Sequence, residues 1–205
     1  MLAQMKITEF LAATASDAPV PGGGSVAALS AGISASLIEM VANLTIGKKN
    51  YEAVEAEMKE ISENVNPYRT IFAEAIDKDA EAFDGVMKSF KLPKDTDEEK
   101  LARTAAIQSG MKDAANVPLE TARNAFGLFG MIEAIVLRGN TNAVTDGAVS
   151  AMMARAAVLG AIYNVRINLG SIKDETYVQE VTAEIDRMEK ETKEVEARIL
   201  AFVKL

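Results

Sequence analysis

The chain contains no cysteine and no histidine among its 205 residues. Without cysteine there is no disulfide, no thiol nucleophile and no thiolate metal site. Without histidine the usual general base near neutral pH, which is also the commonest metal ligand, is missing. A Ser-His-Asp hydrolase and a zinc hydrolase are therefore excluded. Catalysis must use Asp, Glu, Lys, Tyr, Ser, Asn or backbone groups, and no compact array of carboxylates suggests a metal site.

Tryptophan is also absent, and aromatic residues make up only 5% of the chain. The core must therefore be built from Ala, Leu, Ile, Val and Met. Stripes of small residues let helix backbones approach closely, which favours tight helix–helix contacts and a homodimer with a helical interface. Three such stripes recur at helical spacing: Ala28, Gly32 and Ala35; Gly147, Ala151 and Ala154; and Ala156, Ala157 and Gly160.

Basic residues are fewer than acidic ones, 22 against 30, which gives a net charge of −8. Duplex nucleic acid is not expected as a partner, because binding its phosphates requires a basic surface. The N-terminal residues lack the basic region and apolar run of a signal peptide. The most apolar stretch, residues 26–46, is interrupted by polar side chains. We therefore expect a cytoplasmic protein with no membrane partner, folded as a single domain over residues 1–205.

Apolar residues recur with helical periodicity along almost the whole chain, and no segment alternates as a strand does. This pattern predicts an all-α fold, an up-and-down bundle of about six to eight helices. Pro67 is expected to break or kink one long helix, and Pro118 to begin a new one. Thr96 and Glu99 form a capping-box pattern. The predicted helices cover residues 4–13, 25–46, 50–90, 96–116, 118–138, 145–169 and 175–204.

The most informative stretch is PVPGGGS at residues 19–25. Its prolines fix an extended entry, and Gly22, Gly23 and Gly24 provide backbone that a ligand can approach without a Cβ in the way. Ser25 is a good N-cap for the helix that follows. Free N–H groups at this helix N-terminus suit an anion or a developing oxyanion. The alternative is a tight turn that only precedes a packed helix.

Two clusters of charged residues are further candidates. Lys48 and Lys49 follow a helix C-terminus, where the helix dipole alone favours cations, but they also suit a polyanionic tail. Within the acidic run of residues 77–84, Asp79 shares a helix face with Ile76 and Phe83. A carboxylate held against apolar neighbours has a raised pKa and can transfer protons near neutrality. The rest of that run is expected to be a solvated face.

A polar stretch at residues 139–147 contains Asn140, Asn142 and Asp146. It reads either as part of a binding site or as an ordinary turn and helix start, with Thr145 as the N-cap. Farther along the same helix, Asn164 and Asn168 lie on one face of an alanine-rich segment. Buried amides need hydrogen-bond partners, which a ligand ring or the backbone of another helix would supply.

Seven stretches, in this order, resemble the formimidoyltetrahydrofolate cyclodeaminase family: PVPGGGSVAAL, LTIGKKNYE, DAEAF, LPKDTDEEKLAR, AANVPLE, GNTNAVTDG and YNVRINLGSIKDE. The resemblance covers about residues 5–175. Members of this family include the cyclodeaminase half of bifunctional formiminotransferase-cyclodeaminases and stand-alone methenyltetrahydrofolate cyclohydrolases. Seven motifs in one order are far more specific than any of them alone. Immediately before Asp146, this chain has Thr145 where the family usually has serine.

The resemblance implies an all-helical homodimer with a folate site near the dimer interface and no cofactor beyond the tetrahydrofolate substrate. The implied reaction converts 5-formimidoyltetrahydrofolate to 5,10-methenyltetrahydrofolate and ammonia. The alternative is the cyclohydrolase reaction, which interconverts the methenyl compound and 10-formyltetrahydrofolate. A folate-binding helical dimer without catalysis is the alternative of another class.

Two aspartates, Asp79 and Asp146, match positions in the family motifs. The hypothesis is that one is the proton shuttle and that the other fixes the pterin or the leaving nitrogen. Lys48 and Lys49 would bind polyglutamate tails. The remaining residues assigned to substrate binding are Gly22, Gly23, Gly24, Ser25, Asn140, Asn142, Asn164 and Asn168.

Overall fold

The computed structural model describes residues 1–204, which contain no β-strand. Short 3-10 turns precede α1, α3 and α6. The prediction of an all-α bundle of six to eight helices is confirmed. The helices are α1 (Ile7–Thr14), α2 (Gly23–Asn43), α3 (Glu55–Phe90), α4 (Asp97–Gly127), α5 (Phe129–Arg138), α6 (Val144–Leu169) and α7 (Glu175–Ala201).

Helices α2 and α6 form an antiparallel pair at the centre of the bundle. At one end Gly23 approaches Asn164, and in the middle Ser34 meets Ser150. The two serines are fully buried, and each hydroxyl donates a 3.0 Å hydrogen bond to the backbone carbonyl of the other. Backbone carbonyls are reached by such short side chains only because the two helix axes lie very close together.

Small side chains allow this close approach, as the composition predicts. Ala35, Ala151, Ala154 and Ala157 are fully buried. A Cβ placed on Gly160 would lie 3.3 Å from the Cβ of Ala27 on α2, a tighter contact than most. The third predicted stripe is divided, since Ala156 is exposed and lies on the opposite face of α6.

The two prolines do not end helices, which corrects the sequence prediction. Helix α3 continues through Pro67 for 36 residues, and α4 continues through Pro118. The chain breaks its helix instead at Leu128, between α4 and α5. Proline removes a single donor from a helix, and both helices keep enough packing on either side to tolerate that loss.

Helix starts also differ from the prediction. The N-cap of α2 is Gly22, so Ser25 is the third residue of the helix and its side chain is free for other contacts. The N-cap of α6 is Ala143, so Thr145 is not the cap. The capping box of Thr96 and Glu99 is confirmed, with reciprocal hydrogen bonds of 3.2 and 3.0 Å.

By length and composition, α2 and the segment Thr141–Leu169 are apolar enough to cross a membrane. The first of them overlaps residues 26–46, the stretch that polar side chains interrupt. Half of each such window is buried inside the protein, because these two segments form the central pair.

Helix α7 closes the bundle beside α6, and its contacts are of two kinds. Val181, Ile185 and Met188 are buried in the main core. Around them, three arginines of other helices pair with acids of α7 at 2.6–2.7 Å, in the pairs Arg123–Glu184, Arg155–Glu196 and Arg166–Glu189. In a fourth pair, Arg198 of α7 lies 2.9 Å from Glu133 of α5. Apolar packing and exposed ion pairs together hold α7 in place.

The Thr192 hydroxyl of α7 is fully buried and has no hydrogen-bond partner among residues 1–204. A buried unpaired hydroxyl is destabilising, so Thr192→Val is expected to stabilise the fold by about 1 kcal/mol, or raise Tm by about 2–4 °C. Thr45→Val is the matched control, because buried Thr45 bonds the carbonyl of Val41 and the N–H of Asn140. Thermal melting should move the two variants in opposite directions. Equal destabilisation of both would contradict the assignment.

Candidate functional site

A cavity of about 400 Å³ opens between the N-terminus of α2 and the C-terminal halves of α3 and α6. The loop before α2 and the middle of α4 complete its wall. Its volume is in the range of small-molecule sites. Six of the residues assigned from the sequence line it: Gly22, Gly23, Gly24, Asp79, Asn164 and Asn168.

The Asp79 carboxyl lies directly against the N-terminal turn of α2. Ser25 Oγ is 3.0 Å from Asp79 Oδ2 and 3.0 Å from the carbonyl oxygen of Ile76. A Cβ on Gly24 would overlap the Asp79 carboxyl, with Oδ2 only 2.8 Å away. Gly24 is therefore glycine because the carboxyl occupies the space of a side chain. The anion expected at this helix N-terminus is supplied by the protein itself.

Two opposing effects act on this carboxyl. Burial raises the pKa of Asp79 above its ordinary value of 3.8, and the hydroxyl and backbone N–H of Ser25 lower it in part. The hydroxyl serves both protonation states. It donates to the ionised carboxylate, and it can turn to the Ile76 carbonyl and accept from the protonated acid. Asp79 is thus built to hold and release a proton.

Asn164 and Asn168 line the cavity, and the amide nitrogen of each donates to a backbone carbonyl. Asn164 Nδ2 donates to the Gly160 carbonyl at 2.9 Å, and Asn168 Nδ2 donates to the Ala114 carbonyl at 2.8 Å. Ala114 has no helical partner, because the residue four positions later is Pro118, which lacks an N–H. The proline inside α4 therefore frees the carbonyl that fixes Asn168. The amide oxygens make no hydrogen bond among residues 1–204 and can accept N–H groups of a ligand.

The outer wall of the cavity is apolar and was not predicted. Phe83, Met87 and Phe90 follow Asp79 along one face of α3, and all three side chains are partly exposed. Ile167 of α6 faces them and is 75% exposed. The signal in the sequence is the i, i+4, i+7 spacing of apolar residues within a charged stretch, which is typical of a helix face that needs a cover.

The other predicted residues form a second cluster, at the C-terminal end of α2. Lys48 Nζ donates to Asn140 Oδ1, and the same oxygen accepts a 3.0 Å hydrogen bond from the backbone N–H of Asn142. Tyr51 bonds Thr141 through its hydroxyl, which lowers the pKa of the Tyr51 phenol. Lys49 is exposed, and neither lysine forms an ion pair among residues 1–204. These cations are available to an anionic ligand.

Within one chain the two clusters are far apart. Asp146 lies in the first turn of α6, close to the second cluster, whereas Asn164 and Asn168 lie at the other end of that helix. At 1.5 Å per residue the separation along α6 is about 30 Å. The structure therefore brings the glycine loop, Asp79 and the two asparagines together, and it places Asp146, Lys48 and Asn140 at the opposite end of the central pair.

The formiminotransferase-cyclodeaminase family profile matches residues 6–187. The chain belongs to the formiminotransferase-cyclodeaminase family. This confirms the resemblance drawn from the seven motifs.

Two relatives and one solved structure each match nearly the whole of this chain. The chain is 40% identical to the methenyltetrahydrofolate cyclohydrolase of Methylorubrum extorquens, over 97% of this chain and 95% of that one. It is 34% identical to the formimidoyltransferase-cyclodeaminase of Gallus gallus, over 95% of this chain but only 36% of that longer protein. Among solved structures it is similar to the formiminotetrahydrofolate cyclodeaminase of Thermotoga maritima, with 32% identity, a TM-score of 0.88 and coverage of 99% and 98%.

The family and these relatives establish a folate one-carbon enzyme of the cyclodeaminase and cyclohydrolase type. Among the described residues that line the cavity, Asp79 is the one with an ionisable side chain.

The pKa of Asp79 predicts a pH-dependent stability. A carboxyl whose pKa is raised in the folded state stabilises the fold while it is protonated, and this contribution is lost as pH rises through that pKa. Asp79→Asn cannot ionise and escapes this loss. We expect its free energy of unfolding, relative to wild type, to increase as the pH is raised above 3.8 and to level off above the folded-state pKa of Asp79.

Urea denaturation at each pH measures this difference. Asp84→Asn is the matched control, because it removes an exposed carboxylate from the same helix. The same pH trend in both variants would contradict a specific effect of burial at Asp79.

Proposed function

We propose that the cavity makes and breaks bonds at the one-carbon bridge of tetrahydrofolate, with Asp79 as the proton carrier. The observation that supports this most directly is the position of the Asp79 carboxyl. It is desolvated enough for its pKa to be raised, it has a hydroxyl partner in both protonation states, and it faces a cavity of suitable volume. The methenyl carbon is cationic, so a carboxylate beside it is also electrostatically favourable.

In the hydrolytic direction, water attacks the methenyl carbon and forms a C–O bond, while Asp79 accepts a proton from that water. The bond from the same carbon to N5 then breaks, and its electron pair goes to N5. Asp79 returns the proton to N5, the remaining hydroxyl proton is released to solvent, and a carbonyl forms. The product is 10-formyltetrahydrofolate, and one proton is released for each water consumed.

Between the two family reactions, we propose the cyclohydrolase reaction as the principal activity. The support is the 40% identity with a cyclohydrolase across nearly the whole of both chains. The sequence alone ranked the cyclodeaminase reaction first, and it is the second candidate. It is favoured by the similarity to the Thermotoga maritima cyclodeaminase. In that reaction N10 attacks the carbon of the protonated formimidoyl group, and the bond from this carbon to the terminal nitrogen breaks. The proton from N10 goes through Asp79 to that nitrogen, which leaves as ammonia.

Two assays separate these candidates. Loss of methenyl absorbance, corrected for the spontaneous rate, measures hydrolysis, and gain of the same absorbance from 5-formimidoyltetrahydrofolate measures deamination. Asp79→Asn is expected to lower the active rate at least about 100-fold, the scale of general acid–base catalysis. Asp84→Asn should leave it unchanged. Folate binding without turnover of either compound would instead indicate a non-catalytic binding protein, and a near-normal rate in Asp79→Asn would refute the proton-carrier role.

We also propose that the working unit is a homodimer whose partner completes the site. An exposed apolar stripe runs along the central pair, from the cavity to the second cluster, and Ile167 belongs to both the stripe and the cavity wall. The stripe consists of Val26, Ile33 and Met40 on α2 and Val149, Met152, Tyr163 and Ile167 on α6. An exposed apolar surface of this length is typical of a protein–protein interface. A second copy supplies an identical stripe.

A two-fold axis across the middle of the stripe would reverse the helix direction and place the partner's second cluster over the cavity. Asp146 would then approach Asp79 across the interface. Lys48 and Lys49 would follow at the cavity mouth, where they would bind the glutamates beyond the first in a polyglutamylated folate. This arrangement accounts for predicted site residues that lie at opposite ends of one chain.

Mixing two inactive variants tests the composite site. Asp79→Asn and Asp146→Asn homodimers should each be inactive, but a mixed dimer has one intact site. After denaturation and refolding of an equal mixture, random pairing should restore about a quarter of the wild-type rate. No recovery, with mixed dimers demonstrated by differential tagging, would show that the two aspartates do not act across an interface.

A further inference from the structure

We propose that Arg103 recognises the glutamyl carboxylate of the folate. The guanidinium lies at the end of the apolar face of α3 that runs from Asp79 to Phe90. The proposal deepens the proposed function and rests on it, because it takes the reacting carbon to lie at Asp79. It concerns the last residue of the LPKDTDEEKLAR motif, on α4, which forms no hydrogen bond with Asp79, Ser25 or the two asparagines.

Arg103 is exceptional among the arginines of the chain. The sequence has eight arginines, and seven of them pair with a carboxylate at 3.3 Å or less. Arg103 has no carboxylate partner among residues 1–204, although the protein has eight more acidic than basic residues. An unpaired guanidinium in an acidic protein is well suited to bind a ligand's carboxylate.

The guanidinium is also held in place. Its Nε and Nη2 atoms donate to the Phe90 carbonyl at 3.3 and 3.1 Å, and its Cζ lies 5.8 Å from the centre of the Phe90 ring. Guanidinium has five N–H donors, and these two bonds leave three of them free on the Nη1 and Nη2 side. That side is the fork that binds a carboxylate through two parallel hydrogen bonds.

The distances along α3 fit the length of a folate. Phe83, Met87 and Phe90 stand about 6, 12 and 16 Å beyond Asp79 at the helical rise per residue. In an extended folate, standard bond lengths place the glutamyl carboxylates roughly 10–13 Å from the bridge carbon. With a hydrogen bond of about 3 Å added, a ligand that reacts at Asp79 ends near Phe90 and Arg103. The p-aminobenzoyl ring then lies against Phe83 and Met87.

Binding of a stable folate tests this assignment without turnover. The probes are 5-formyltetrahydrofolate and its 5-formyltetrahydropteroate analogue, which lacks the glutamate. Calorimetry on the wild-type protein should show the glutamyl ligand bound at least about tenfold more tightly, because a bidentate charged hydrogen bond is lost in the analogue. Arg103→Ala should remove this preference and leave the affinity for the pteroate within about twofold of wild type.

Two further variants control the interpretation. Lys100→Ala removes an exposed cation one turn earlier on α4, which is paired with Asp97, and should keep the full preference. Arg103→Lys keeps the charge but not the fork, so its preference should be intermediate. Equal weakening of both ligands in Arg103→Ala, or a preference that survives it, would overturn the assignment. A normal preference in a protein that turns over neither folate substrate would refute the proposed function and leave the Arg103 assignment standing.

Discussion

The close contact between α2 and α6 determines the geometry of everything else in this molecule. The buried serines at its centre reach each other's backbones, and small residues line the contact on both sides. Because the axes are this close, the glycines at the start of α2 meet Asn164 at the end of α6. Helix α3, which forms the third side of the cavity, then brings the Asp79 carboxyl into the space that a side chain at Gly24 would occupy. A larger side chain at any of these points would separate the groups that form the cavity.

A large part of this arrangement was predictable from the sequence, and the exceptions have physical causes. The glycine loop, Asp79 and the two asparagines were identified because each is an unusual residue on an otherwise regular helix or turn. Pro67 and Pro118 were misread, since a local rule says that proline ends a helix while tertiary packing holds both helices together. Phe83 and Phe90 were not assigned because an exposed apolar face becomes meaningful only when an opposite wall is known. Arg103 ends the LPKDTDEEKLAR motif, but its lack of a carboxylate partner becomes visible only by comparison with the ion pairs of the other arginines.

The location of Asp146 and Lys48 shows a different limit of sequence reasoning. Motifs report which residues matter to a family but not which copy of the chain supplies them. Both residues lie at the end of the central pair farthest from the cavity, and the exposed stripe between the two ends offers an economical explanation in terms of a dimer. Nothing in the linear order of motifs distinguishes a site within one protomer from a site shared by two.

Pro118 illustrates how a residue outside the cavity can control its chemistry. Replacing it with alanine would give the helix back an N–H, and that N–H would compete with Asn168 for the Ala114 carbonyl. Alanine is also a far better helix former than proline. Such a change would strengthen α4 while it releases the Asn168 amide at the cavity. Screening for thermostability alone would therefore select against this proline, and the enzyme would lose order at its site while it gained heat resistance.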